Sequence, residues 1–595
     1  MKSCFRVLLV LFFLASAAFC DQTFPKPDWK ELPDPVASPY AEQGGEVCVY
    51  IGPSPKSLNY YLENSSIAAH VFSGLYESLL SMSSRNLEYE PHLASKWSIS
   101  DDKKTFTFWI DKRAKWSDGK PVTAQDVKWT FDAIMNPANK TGVHKVSLSR
   151  FESPEVLDDH TIRFTAKEVH WKNLLSIGTF DILPKHAYEN LDFNKINFEL
   201  PVVSGPYEIG ELTENVSLTL KRRRDWWNND AVNVQGVNNF DTIRLRFYGE
   251  SENAFEAFKK GLIDIIGVNT ARTWVKETEG QQFADNWIIK QKIQNYRPVG
   301  FQGFAMNMRR PPFDDVNVRK AMAHLINREK MNAAIMYNQY FLHKSYFEDL
   351  YSPEKPCPNQ PYDFNKDKAR KLLADSGWKV NPKTGFLEKN GKPLTVKFLT
   401  RDSTAERFLA IYEQDLKDVG IQMVIDKKDW AAWMKDMDDF NYEITWAAWG
   451  AALFKDPEGM WASSEADRPS GNNITGFKNA KVDELIEMQK SIFSVEERHE
   501  ICRKIDQLVY EQCPYVLLWN IDYTRLLYWN KFGTPDTVLT KYGDDSSAES
   551  YWWLDPYSVA DLKDAMEQKL PLPPKPLSVV FDEVFVDPVM DKPKN

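Results

Sequence analysis

Apolar and polar positions along this chain fall into two recurring periods. Tyr442, Ile444 and Trp446 alternate with Glu443, Thr445 and Ala447, the pattern of a strand that buries one face. Phe106, Phe108 and Ile110 alternate in the same way with Thr105, Thr107 and Trp109. EVCVYIG, after Gly44-Gly45, reads as a buried strand leading into a Pro-Ser-Pro turn. Helical spacing appears from Ser66, where Val71, Phe72, Leu75 and Leu79 share a face, and again at Val127, Phe131 and Ile134 after a capping-box-like start at Thr123 and Asp126. Val318, Ala321, Met322, Leu325 and Ile326 make a third such face. The helix in AFEAFKKGLID is expected to end at Gly261, and NKDKARKLLADSGW reads as N-capped and Gly-terminated. Ser403 with Glu406, and Ser494 with Glu497, are expected to open two more helices.

The strand through Trp446 breaks into Ala-Trp-Gly-Ala-Ala. Gly450 has no side chain and Ala451 and Ala452 carry only methyls, so another extended backbone could approach here, flanked by the faces of Trp446 and Trp449. This is the stretch expected to meet a ligand. A buried strand ending in a turn is the competing reading.

Composition narrows the setting. A chain of 595 residues exceeds one compact core and is expected to form roughly two or three lobes. Aromatics are high at 13%, with 20 Trp and 24 Tyr, enough flat apolar surface to line a groove. The net charge of −10 and the lack of a long basic stretch exclude the electrostatic footprint of a nucleic-acid binder. Met1 to Cys20 reads as a cleaved secretion signal, with Lys2 and Arg6 ahead of an apolar core and small residues at Ala15 to Ala18. Phe19 is bulky where a lipoprotein signal carries a small residue, so an anchor at Cys20 is not expected. No later stretch has the length and apolarity of a membrane span. Four cysteines remain: Cys48, Cys357, Cys502 and Cys513. Their pairing is open, except that a helix through Arg503 to Tyr510 would hold Cys502 and Cys513 roughly 15 Å apart. There is no HExxH, Gly-x-Ser-x-Gly or Walker A sequence, no CxxC pair, and no carboxylate pair that can be singled out for acid/base work. No catalytic residue, metal or cofactor is expected.

The longest motif runs from Leu87 to Met135. Pro91 to Trp97 fits P-x-L-A-x-x-W, Phe106 to Phe108 fits F-x-F, and Lys115 to Val127 fits K-W-x-D-G-x-P-x-T-A-x-D-V. In this order they resemble the family-5 extracellular solute-binding proteins, the oligopeptide- and dipeptide-binding components of ABC importers. The resemblance continues through Ser204-Gly205-Pro206-Tyr207, RRDWWNND from Arg223, AFEAFKKGLID from Ala254 and NMRRPPFDDVNVRKA from Asn307. RRPPFDD, YNQYFLHKSYF, WASSEADRPSGNNITGFKNAKVDELI and WWLDP narrow it to the YejA-like branch, associated with oligopeptides and peptide-like cargo.

The resemblance implies an α/β, bilobal periplasmic-binding-protein fold (class II-like, cluster C) with an extra subdomain inserted in the first lobe. It implies a lead-in over 21–43, first-lobe parts over 44–66, 205–296 and 518–565, the insert over 67–204 and the second lobe over 297–517. Residues 566–595 read as a Pro-rich tail. One departure matters: where the oligopeptide-binding subgroup has W-x-A-D, whose Asp neutralises the peptide amino terminus, this chain has Trp449-Gly450-Ala451-Ala452, and Asp456 is a displaced substitute at best. The remaining candidate ligand residues are Arg272, in NTARTW, and Trp519 and Tyr523, just past the second lobe crossing. The expected protein is a periplasmic monomer, not an enzyme, that passes an oligopeptide or peptide-like ligand to an inner-membrane ABC permease. The alternatives are an oligosaccharide-binding importer component and a secreted hydrolase of peptide or cell-wall material.

Overall fold

The computed structural model describes residues 21–63, 65–401 and 405–589. The expected signal sequence, Cys20 and Ser403 lie outside the described residues. The chain is α/β and builds two lobes around two sheets. In the first lobe, eight strands lie in the order Ser578–Val580, Ile288–Gln294, Thr524–Trp529, Ile265–Gly267, Glu46–Gly52, Thr242–Phe247, Ser217–Arg222 and Tyr207–Thr213. In the second, five strands lie in the order Gln422–Lys427, Thr395–Thr400, Ile444–Trp449, Phe301–Met306 and Tyr515–Leu517. The chain passes between the sheets twice, once between residues 294 and 301 and once between 517 and 524.

A third sheet orders Gln22–Phe24, Ala94–Ile99, Thr105–Ile110, Thr161–Thr165 and Glu155–Asp158. Phe106, Phe108 and Ile110 are buried, and their core is continuous with Val47, Val49 and Leu245 of the eight-stranded sheet. The insert therefore packs as part of the first lobe. Its helix Ala124–Met135 starts as the Thr123/Asp126 spacing predicts: the Asp126 carboxylate accepts the Thr123 N–H at 2.8 Å and, across the fold, the Lys185 N–H at 2.9 Å.

Four segments depart from the sequence reading. The helix from Ser66 stops at Phe72, because Gly74 turns to φ +78° and leaves Leu75 and Leu79 to be buried in irregular chain. Residues 21–43 are more than a lead-in: Gln22–Phe24 is an edge strand on Ala94–Ile99, and Phe24 stacks on Trp97 at 5.5 Å. Residues 566–595 are more than a tail: Ser578–Val580 pairs in parallel with Ile288–Gln294, Val579 and Phe581 are buried, and the Tyr296 hydroxyl donates to Asp582 at 2.7 Å. The strand at Ile444–Trp449 is central to its sheet and covered on both faces, so Thr445 is as buried as Ile444.

Cys48, Cys357, Cys502 and Cys513 are all thiols, and burial pushes each of them up, Cys502 and Cys513 to about 12. No helix among the described residues is long and apolar enough to cross a membrane.

Asp506, on the helix Val495–Gln512, ties the 345–359 segment to the second lobe. It accepts from the Ser345 hydroxyl at 2.9 Å, the Tyr346 N–H at 2.8 Å, the Tyr351 hydroxyl at 2.9 Å and the Asn359 amide at 2.9 Å. Asp506→Ala strands these donors in a buried site and is expected to cost about 3 kcal/mol, measured as a lower urea midpoint.

Candidate functional site

Trp446 and Trp449 stand three residues apart on one strand, so they leave it from opposite faces. Trp446 packs edge-on against Phe304 at 5.4 Å, Phe408 at 5.6 Å and Trp519 at 5.9 Å, and its indole N–H donates to Gln302 Oε1 at 3.0 Å. Trp449 lies on the other side, where its N–H donates to the Tyr515 hydroxyl at 3.1 Å. Both rings are half-buried and their polar atoms are satisfied, which leaves ring surface for contact. The two rings leave the strand on opposite faces, and both still border the same cavity.

The strand's edges are more informative. On one side, Ile444–Trp449 pairs antiparallel with Phe301–Met306 along its whole length. On the other, pairing with the 395–400 strand ends at Phe398↔Ile444 and Leu399↔Thr445. From Trp446 to Trp449 this second edge has no partner strand among the described residues. It faces a cavity of about 540 Å³ walled by Thr400, Arg401, Phe408, Trp433 and Met437. An unpaired strand edge in an apolar trough is the structure to which an extended chain adds by main-chain hydrogen bonds.

Trp449 also lines a second cavity, of about 480 Å³, between the lobes. Its walls are Arg297 and Gly300 from the first crossing, Asn520 from the second, Gly450 and Ala451 from the second lobe, and Tyr542 to Asp544 from the first. A Cβ built on Gly450 meets nothing within 4 Å, so this glycine leaves open room. Gly300 is the position that close approach demands, since a Cβ there would sit 1.9 Å from the Trp449 carbonyl oxygen. Gln302 organises the region: it holds the Trp446 indole, its amide donates to the Trp519 carbonyl at 2.8 Å, and its carbonyl accepts the Leu518 N–H at 3.0 Å. Asn520 donates to the Gly300 carbonyl at 2.7 Å.

Other expected ligand residues are placed elsewhere. Asp456 pairs with Lys172 of the insert and accepts the Glu458 N–H at 3.1 Å. Burial raises its pKa, but Lys172 outweighs that and holds the carboxyl below the usual range. It is committed to the opposite lobe and is no free partner for a ligand ammonium. Arg272 is exposed at 67% of its side chain and pairs with Glu277 at 3.2 Å, away from both cavities. Trp519 is buried against Phe408 at 5.4 Å inside the second lobe. Tyr523 spans the crossing, its hydroxyl donating to the Gln339 carbonyl at 3.0 Å with Lys292 over its ring at 4.8 Å.

Sequence reasoning missed Gln302, Asp544 and Arg525. Asp544 brings an exposed carboxylate to the interlobe cavity, where it accepts from Ser546. Arg525 is 1% exposed; its Nη1 donates to the Asn269 carbonyl and the Tyr340 hydroxyl, both at 3.3 Å, while Nε and Nη2 have no partner among the described residues. A lone arginine inside the apolar run YTRLLYW was its signal. No group of three or more His, Cys, Asp or Glu among the described residues could hold a metal ion.

The insert clasps the second lobe beside Asp456. The Trp171 N–H donates to the Lys490 carbonyl at 2.9 Å, its indole to Gln489 Oε1 at 3.1 Å, and Arg150 pairs with Glu458 at 3.4 Å.

Bacterial extracellular solute-binding proteins, family 5 Middle, is the family that matches, over residues 88–471. A relative in Agrobacterium fabrum named as a probable peptide-binding protein, YejA, is 27% identical over 560 residues, covering 86% of this chain and 90% of the relative. Another from that organism, the peptidoglycan-binding protein YepA, is 25% identical over 571 residues, covering 87% and 92%. The oligopeptide-binding protein AppA from Bacillus subtilis, solved with a nonapeptide, has a TM-score of 0.68 at 21% identity, covering 86% of this chain and 99% of that one.

A carboxylate with a depressed folded-state pKa contributes stability above its unfolded value of about 3.9 and loses it as pH falls through the lower folded value. The clasp is therefore expected to hold at neutral pH and loosen below about pH 4. Asp456→Asn is expected to speed hydrogen exchange at the Trp171 amide roughly threefold at neutral pH, the scale of a part-exposed pair.

Proposed function

The chain belongs to the bacterial extracellular solute-binding proteins of family 5, and we propose that it captures oligopeptides or peptide-like cargo between its lobes and delivers them to an ABC permease. It does so as a monomer in the periplasm, after removal of its secretion signal. The observation that carries this reading is the strand edge from Trp446 to Trp449, without a partner strand among the described residues, facing one cavity and leading through Trp449 to the interlobe cavity. Pairing along that edge uses amide groups that every peptide has, so it supplies affinity without reading side chains. The two indoles and Phe408 add apolar surface for whatever side chains the cargo brings. Asp544, across the interlobe cavity from Gly450, takes the ammonium-neutralising role that Ala452 cannot fill. The names of the YejA relative and of the nonapeptide-bound AppA support peptide cargo.

A peptidoglycan fragment, with its peptide stem and sugar, is the second reading, favoured by the name of the YepA relative and by ring faces suited to a sugar. Isothermal titration with tri- to hexapeptides and muropeptides distinguishes the two readings, and silence from both series would refute each. Gly450→Val fills the open room without strain and is expected to weaken peptide binding at least about tenfold, or roughly 1.4 kcal/mol, with thermal stability unchanged. Asp544→Asn is expected to weaken peptides with a free amino terminus and leave N-acetylated ones unaffected, read in the same titration.

A further inference from the structure

A third cavity, of about 820 Å³, lies beside the clasp and away from the strand edge. One wall is the N-terminal arm, with Phe24 and Trp29, together with Trp97 and Phe106 of the third sheet. Trp171 of the insert also lines it. The opposing wall belongs to the second lobe: Phe454, Phe493, and Val495 and Arg498 at the start of the helix Val495–Gln512. Trp171 and Phe454 meet edge to face at 6.4 Å across the lobe boundary.

Arg498 is the buried charge of this cavity. It is 4% exposed, its guanidinium lies over the Trp171 ring at 4.0 Å, and its Nη1 donates to the Ile492 and Phe493 carbonyls at 2.9 Å. Among the described residues no carboxylate pairs with it. The nearby Asp456 is engaged by Lys172, and the acidic groups of the cavity, Asp28, Glu88 and Asp101, sit on the exposed rim with Lys26 and Lys103. A guanidinium kept from water without an anion is costly unless something brings one. Burial alone pushes the pKa of Arg498 down. Two further N–H donors that line the cavity lack acceptors among the described residues. Trp97 Nε1 has no partner among the described residues, and neither has His170 Nε2. His170 Nδ1 accepts the Lys172 N–H at 3.0 Å, which puts the proton of the neutral ring on Nε2. The cavity thus offers flat apolar faces, a buried cation and spare donors, and no buried acceptor charge.

We propose that this cavity is a second ligand site that takes a small aromatic carboxylate, its ring between Trp97, Trp171 and Phe454 and its carboxylate on Arg498. Because the walls come from both lobes, the ligand binds only when the clasp is shut, and its occupancy favours the closed state. This site does not depend on the cargo reading, and the two are separable by mutation.

Isothermal titration of the full mature protein with indole-3-acetate, phenylacetate and the uncharged control indole tests it. Indole-3-acetate is expected to bind one to one and at least about tenfold more tightly than indole. Arg498→Lys, which keeps the charge but loses the planar fork, is expected to remove most of that preference. Val495→Trp, at an exposed position on the cavity wall, is expected to abolish binding with no loss of thermal stability. Gly450→Val is expected to leave it unchanged, and hydrogen exchange at the Trp171 amide is expected to slow when the carboxylate is bound. No heat from either carboxylate at millimolar concentration overturns the proposal, as does binding that Gly450→Val removes or that Arg498→Lys and Val495→Trp leave intact.

Discussion

The candidate site depends on one steric constraint: the backbone at Gly300 lies directly against the carbonyl of Trp449. Nothing larger than a hydrogen fits there, since a Cβ would overlap the oxygen at 1.9 Å. The contact fixes where the first crossing meets the Ile444–Trp449 strand, and Asn520 laces the second crossing to the same glycine. Gln302, two residues on, then sets the Trp446 ring and the turn at Leu518 and Trp519. The lobes are joined through the few residues between the sheets, and the strand edge and its aromatic trough belong to the second lobe. An exposed strand edge is ordinarily a hazard for aggregation. Here Thr400, Trp433 and Met437 wall it in, so only a chain that enters the trough can reach it.

Much of the fold was legible in short-range pattern. Phe106, Phe108 and Ile110 fill a core as their alternation predicts, and Asp126 reaches back to Thr123 because its spacing dictates it. The opposite placement of Trp446 and Trp449 was equally available, since three positions along a strand always change face. What could not be read was contact between distant residues. Asp456 and Lys172 are 284 positions apart, and nothing local to the Lys-Asp-Pro turn announces that its carboxylate is spoken for. The 578–580 strand was hidden for another reason. Prolines at 571, 573, 574 and 576 signal a spacer by composition, and only the open edge of Ile288–Gln294 turns the three residues that follow into a strand.

The insert has a role that its motif content does not suggest. Its core is shared with the first lobe, yet Trp171, Lys172 and Arg150 all reach the second. Closure is therefore secured at two places: around the hinge, by backbone and amide contacts, and at the far side, by one indole and two charge pairs. The hinge contacts lie within or next to the crossings, whereas the clasp contacts join parts of the two lobes remote from them.

The strand order of the larger sheet also bears on how the molecule comes together. The second-lobe sheet draws all its strands from residues 301–517, whereas Glu46–Gly52, near the middle of the first-lobe sheet, takes its neighbours from Thr242–Phe247 and Ile265–Gly267, and the far edge waits for Ser578–Val580. As the polypeptide folds, the later-made half can mature while the earlier-made half still has unfilled positions. A premature stop codon just upstream of 578 would leave Ile288–Gln294 bare along one side, in a molecule whose second lobe is sound and whose first is unfinished.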